Sequence, residues 1–91
     1  MNYLQSDLGH LPQGSAIEVT LRGSAANVLL LDAANLSSYK RGAGFSYADG
    51  GFFERSPAML GIPRSGHWHV IVDLNGGSGR VDAAVRVLAG R

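Results

Sequence analysis

The chain has 91 residues, a formal net charge of +1 and no cysteine. Its length predicts one small-cored domain over residues 1–91, which would gain stability by forming a homo-oligomer. The weak charge provides no strong field for nucleic acid or an anionic membrane, and the lack of cysteine excludes disulfides and thiolate chemistry.

The first residues lack the basic and apolar stretches of a secretory signal. No apolar run approaches the roughly 20 residues that span a bilayer. We therefore expect a cytoplasmic protein without a membrane partner and without a cofactor.

The sequence pattern predicts three strands in the first third of the chain. Residues 2–8 predict a short strand that ends at Gly9. In residues 16–22, Ile17, Val19 and Leu21 alternate with polar residues, which is typical of a strand with one wet face. Residues 27–32 are apolar without alternation, so this strand is expected to be covered on both sides.

Residues 32–42 fit either a short helix or an irregular corner. Asp32 at the start and Gly42 past the end satisfy the signals of a helix. Asn35, Ser37 and Ser38 compete with it by bonding to nearby backbone groups. We favour an irregular corner with at most one helical turn.

Residues 42–62 predict a hairpin and an edge strand. The dipeptide Asp49-Gly50 favours a tight turn between arms at 45–48 and 52–55. Residues 57–62 form a short strand bounded by prolines, a position typical of a sheet edge.

Residues 65–74 carry the longest strand pattern and are expected to form a central strand. Period two places Trp68, Val70, Val72 and Leu74 on a core face, and His67, His69, Ile71 and Asp73 on the other face. A loop at 75–79 and a last strand at 80–88 follow. Seven or eight short strands predict an all-β fold, an antiparallel β-sandwich of jelly-roll-like form.

His67 and His69 are the candidates for a metal site. Residues two apart on a strand point to one side, so both imidazoles can reach one ion, with His10 as a third ligand. Asp73 offers a carboxylate, but it lies two positions beyond Ile71 on the same strand, too far along for easy shared ligation. This arrangement is cupin-like, but the glutamate that follows at short spacing in cupins is missing. The alternative is that one imidazole is hydrogen-bonded and the other is exposed.

A glycine-rich region concentrates aromatic and basic residues, the composition enriched at interface hot spots. These interface or ligand candidates are Tyr39, Lys40, Arg41, Phe45, Tyr47, Phe52, Phe53 and Arg55. About half of the aromatics must serve the core. Within this set, Lys40, Arg41, Phe45 and Tyr47 show a partial likeness to an aromatic RNA-binding motif, although we do not expect a nucleic-acid partner.

Catalysis has no support in the sequence. No serine lies in a Gly-x-Ser-x-Gly motif, and the acidic residues form no adjacent pair. The prediction is therefore a non-catalytic binding or assembly module that self-associates and can take a protein or small-molecule partner. The alternative is a metal-binding enzyme or sensor that uses His67, His69 and His10, and an RNA-binding module is a weaker one.

Five segments, at residues 7–11, 26–28, 37–42, 55–57 and 65–70, make the chain similar to a bacterial domain-of-unknown-function family, number eighteen-eighty-three. The resemblance covers nearly the whole chain, and the stretch Ser-Gly-His-Trp-His-Val is its most specific part. It implies no catalytic residues, because none are assigned in that family. Some relatives are joined to a TIR domain, which implies a link to signalling or defence for those fusions, and no TIR domain is present here.

Overall fold

The computed structural model describes residues 3–74 and 79–88. Within these ranges the elements are β1 (Tyr3–Leu11), β2 (Ala16–Gly23), β3 (Ala26–Asp32), α1 (Ala33–Lys40), β4 (Asp49–Phe53), β5 (Ala58–Gly61), β6 (Gly66–Asp73) and β7 (Val81–Leu88). All pairs of strands are antiparallel. Residue 2, where the first strand is predicted to begin, and residues 75–78 of the predicted loop lie outside the described residues.

The strands form a sandwich of two sheets. The larger sheet has the order β1-β6-β3-β4, and the smaller has the order β5-β2-β7. Apolar side chains from both sheets fill the space between them, with Trp68 only 1% exposed. The predicted all-β sandwich is confirmed, while its jelly-roll form and its single-domain boundary stay predictions.

Strand β6 lies inside the larger sheet, between β1 and β3, as its long apolar pattern predicts. Trp68, Val70 and Val72 face the core between the sheets. On its opposite face, Ile71 packs with Leu29 and Leu31 of β3 against the helix. Because both faces of β3 and β6 are covered, neither strand shows a polar alternation across the middle of the sheet.

Helix α1 is longer than the single turn that the sequence predicts. Its eight residues begin after Asp32, whose Oδ1 accepts a hydrogen bond from the Asn35 N–H at 2.9 Å. It ends at Lys40, and Gly42, two residues further on, has φ +72° and donates its N–H to the Tyr39 carbonyl, so a glycine in the left-handed region closes the end of the helix. Packing of the buried Leu36 and Tyr39 on the larger sheet stabilises the helix against its weak intrinsic propensity.

The predicted hairpin around Asp49 is wrong. Residues 43–47 form no strand, and Asp49 and Gly50 begin β4, which pairs with β3. Gly50 has φ +133°, and a Cβ there would lie 2.1 Å from the Val28 carbonyl oxygen. Gly50 therefore allows β3 and β4 to approach each other closely. The sequence Asp49-Gly50 alone does not distinguish this role from that of a turn.

No helix in residues 3–74 or 79–88 is long and apolar enough to cross a membrane.

Candidate metal centre

The pairing of β1 with β6 brings Asp7 to the two histidines. Asp7 lies opposite His69, and His10 lies opposite His67. A β-bulge interrupts β1 between Asp7 and Gly9, and the Gly9 N–H donates to Asp7 Oδ1 at 2.8 Å. The bulge sets Asp7 diagonally across from His67, whose Nε2 lies 2.6 Å from the same Oδ1.

These three side chains form a compact cluster on the outer face of the larger sheet. Asp7, His67 and His69 each offer one donor atom, and the three atoms lie within 4.8 Å of one another. The two imidazole rings are stacked with their centroids 4.9 Å apart. The side chains of Asp7 and His67 are 57% and 51% exposed, whereas His69 is 7% exposed. The cluster is therefore buried on the side of His69 and open to solvent on the side of Asp7 and His67.

Local interactions favour an ionised Asp7 and a neutral His69. The hydrogen bond from Gly9 and then the contact with His67 hold the pKa of Asp7 below its ordinary value. Burial lowers the pKa of His69, and Asp7 opposes this shift only in part. An anionic carboxylate beside a neutral imidazole is the protonation state in which both groups can bind a cation.

His69 also carries an unsatisfied atom. Its Nδ1 is buried, and in the part of the chain that the structure describes it is the one buried side-chain nitrogen or oxygen without a hydrogen-bond partner. A buried polar atom without a hydrogen-bond partner destabilises the folded state by about 1–3 kcal/mol, so a functional explanation for this atom is required.

The structure brings two of the three predicted metal ligands together and adds one that sequence reasoning missed. His67 and His69 belong to the cluster, but His10, on the same face, does not. Asp7 lies 60 residues from His67 in sequence, so no local spacing could connect them. The one local signal was the Asp7-Leu8-Gly9 order, which suits a bulge closed by an aspartate.

The predicted interface residues are divided between core and surface. Tyr39 is buried, Phe53 packs partly against the core, and Phe45 lies edge-on to Tyr39 with ring centroids 5.2 Å apart. The remaining five are exposed, namely Lys40, Arg41, Tyr47, Phe52 and Arg55. Whether this surface binds protein or RNA stays a prediction.

The fold and the cluster define a class: a small antiparallel β-sandwich with a histidine and aspartate cluster on the outer face of one sheet. The chain belongs to the family described as Domain of unknown function (DUF1883), whose match covers residues 1–91. This confirms the family that the sequence resembles. No curated protein and no solved structure matches the chain.

Proposed function

We propose that this domain is a binding module for a divalent transition-metal ion, held by Asp7, His67 and His69. The observation that carries the proposal is the buried, unpartnered Nδ1 of His69 in a cluster of three potential ligands. Coordination of the ion by Nδ1 itself would offset the cost of leaving this atom unsatisfied. Metal binding was the alternative to an assembly module on sequence grounds, with His10 in the place that we now give to Asp7.

The donor set suits Zn²⁺ and neighbouring first-row ions. Two imidazole nitrogens and one carboxylate oxygen are ligands that these ions accept, and three protein ligands leave at least one position for water or another ligand. The exposed Asp7 and His67 border that position, so solvent and small molecules can reach it. The absence of cysteine is consistent with an exchangeable site, since no thiolate strengthens the binding.

Binding needs a modest rearrangement of the cluster. Ligand atoms in a tetrahedral site with bonds of about 2.1 Å lie about 3.4 Å apart. The three donors lie within 4.8 Å of one another, and His67 Nε2 and Asp7 Oδ1, at 2.6 Å, must move apart to admit an ion between them. Rotation of the exposed Asp7 and His67 can supply this change, because the buried His69 fixes only one corner. The Asp7–His67 contact would then be replaced by two bonds to the ion.

Nearby charges moderate the affinity. Asp7 and Asp32 favour a cation near His69, while Lys40 disfavours it. With a single carboxylate in the cluster, the site retains one positive charge when a divalent ion binds. These features support reversible binding rather than a permanently held structural ion.

Isothermal titration calorimetry with ZnCl₂ on chelator-treated protein tests the proposal. We expect one Zn²⁺ per chain, and an affinity at least about tenfold weaker in Asp7→Asn and His67→Ala. Both positions are exposed, so these variants should keep the fold, which circular dichroism verifies. His10→Ala is the matched control, since it removes an imidazole from the same face without touching the cluster.

Two results would contradict this function. One is wild-type protein that takes up no zinc, nickel or cobalt in the titration. The other is an affinity that stays the same in Asp7→Asn and His67→Ala, or that falls only in His10→Ala, since the ion would then be bound elsewhere.

A further inference from the structure

Strand β7 forms one edge of the smaller sheet, and β2 is its only hydrogen-bonded neighbour among the described residues. Its eight residues pair with β2 without a register shift, so no bulge twists the edge away. It also contains no lysine or proline, two residues that commonly protect exposed edges. An edge of this kind is a template for a further strand.

The core-facing side of β7 is incompletely covered. Val81, Ala83 and Val85 pack partly against the core between the sheets. Val87 is 43% exposed, although its partner Ile17 on β2 is completely buried. A strand added beside β7 would cover this apolar area.

The outer face of the same strand carries an ordered pattern of charge. Asp82 lies opposite Arg22, and Arg86 lies opposite Glu18, with which it forms an ion pair of 3.0 Å. Ala84 separates the two charges of β7. On its outer face, β7 therefore carries a negative charge near its start, at Asp82, and a positive charge near its end, at Arg86.

We infer that β7 pairs with β7 of a second copy of this chain, antiparallel, about a two-fold axis at Ala84. This register places Asp82 opposite Arg86 of the second copy, and the symmetry repeats the contact. The outer row then alternates in sign across both copies, because it runs Arg22, Asp82, and then Arg86 and Glu18 of the second copy. On the core side, Val87 meets Val81.

Other symmetric registers lack this complementarity. Residues that face each other must lie on the same side of the joined sheet, so the axis can move only by whole residues. An axis at Asp82 or at Arg86 places like charges opposite each other, and an axis at Ala83 sets Arg80 against Arg86. An axis at Val85 leaves both charges without a charged partner. Of these five positions, only Ala84 pairs opposite charges.

The result is a six-stranded sheet that runs through both molecules. This pairing is separate from the proposed metal site, which lies on the other sheet. An experiment can therefore refute either proposal without affecting the other. The charge pattern, rather than exposure alone, is what selects a second copy as the occupant of this edge.

Sedimentation equilibrium in the presence of chelator tests the pairing with two complementary variants. Asp82→Arg gives β7 two positive charges, and Arg86→Asp gives it two negative charges. Each variant alone sets like charges against each other in its homodimer, so we expect the dimer dissociation constant to rise at least about tenfold. An equimolar mixture should dimerise again, because both charged pairs between the two β7 strands of the mixed dimer are then opposite in sign.

Charge reversal at other exposed positions is the control. Glu54→Arg and Arg55→Asp change the same charges away from β7 and should leave the dimer intact. The inference is overturned if the wild-type chain is a monomer at every concentration, which would leave this edge to a strand of another protein. It is equally overturned if Arg55→Asp dissociates the dimer while the β7 variants do not, or if the mixture fails to restore it.

Discussion

Asp73 is a carboxylate, 7% exposed, at the end of β6 inside the larger sheet. It accepts a hydrogen bond from Asn27 Nδ2 at 3.1 Å and another from the Tyr39 hydroxyl. The Tyr39 hydroxyl thus connects helix α1 to the sheet by a polar contact inside an apolar layer. Burial, reinforced by Asp73, raises the pKa of Tyr39 well above its ordinary value, so the hydroxyl remains a donor throughout the physiological range.

Tyr39→Phe should lower the free energy of unfolding by about 1–3 kcal/mol, because Asp73 loses a buried donor. The phenyl ring keeps the edge contacts with Tyr3 and Phe45, so the difference isolates the hydroxyl. Urea denaturation at pH 7 measures it. Tyr47→Phe, at an exposed ring, should change nothing, and an equal loss in both variants would show that the Asp73 contact is not the cause.

Asp32 acts at the scale of an element, since it starts helix α1. Its Oδ1 accepts from the Asn35 N–H, while its Oδ2 pairs with Arg64 at 3.0 Å. The hydrogen bond from Asn35 is the main reason that the pKa of Asp32 lies below its ordinary value. The folded state therefore favours the ionised carboxylate.

Two substitutions at this position separate capping from charge. Asp32→Ala should lower the free energy of unfolding by about 1 kcal/mol at pH 7, because the helix loses its cap. Asp32→Asn should lower it less, because asparagine caps a helix as well as aspartate does. The pKa of Asp32 is lowered on folding, so its ionisation stabilises the fold above its ordinary pKa of 3.8 and ceases to do so as the pH falls below that value.

Urea denaturation at several pH values measures this effect. The difference in the free energy of unfolding between wild type and Asp32→Asn should become smaller as the pH falls below 3.8. A difference that stays constant with pH would mean that the charge of Asp32 makes no contribution to stability.

The elements that the sequence predicted well are those whose pattern is local. The alternation of β2 and the apolar run of β6 mark strands wherever they lie in the fold. The extra length of α1 was missed because Leu36 and Tyr39 stabilise it through contacts with β3 and β6, which propensity does not include. Asp7 was missed for the same reason, since strand pairing across 60 residues creates the cluster.

For the whole molecule, the metal centre would join an edge strand to an inner one. Asp7 belongs to β1, and both histidines belong to β6, so an ion held by all three connects the two strands. An ion that binds only the folded state raises its stability by mass action. The gain depends on the free zinc concentration relative to the dissociation constant.

Zinc at about 100 times its dissociation constant should raise the free energy of unfolding by about 2.7 kcal/mol. Chemical denaturation followed by circular dichroism, with zinc and then with excess chelator, measures the gain and its reversal. In His67→Ala the gain at the same zinc concentration should be smaller by at least about 1.3 kcal/mol, because its affinity is at least about tenfold weaker, whereas His10→Ala should match wild type. An undiminished gain in His67→Ala would place the stabilising ion outside the cluster.

The order of strands in the two sheets constrains how the chain can acquire its fold during synthesis. In the described residues, β1 pairs only with β6, and β2 pairs only with β5 and β7; β3 and β4 are the only paired strands that follow each other. A nascent chain that has released its first two strands therefore holds both without partners until β5 and β6 emerge from the ribosome. The larger sheet cannot close before Asp73 is synthesised, nor the smaller before Leu88, so each sheet is completed only when its last strand is available rather than strand by strand along the chain.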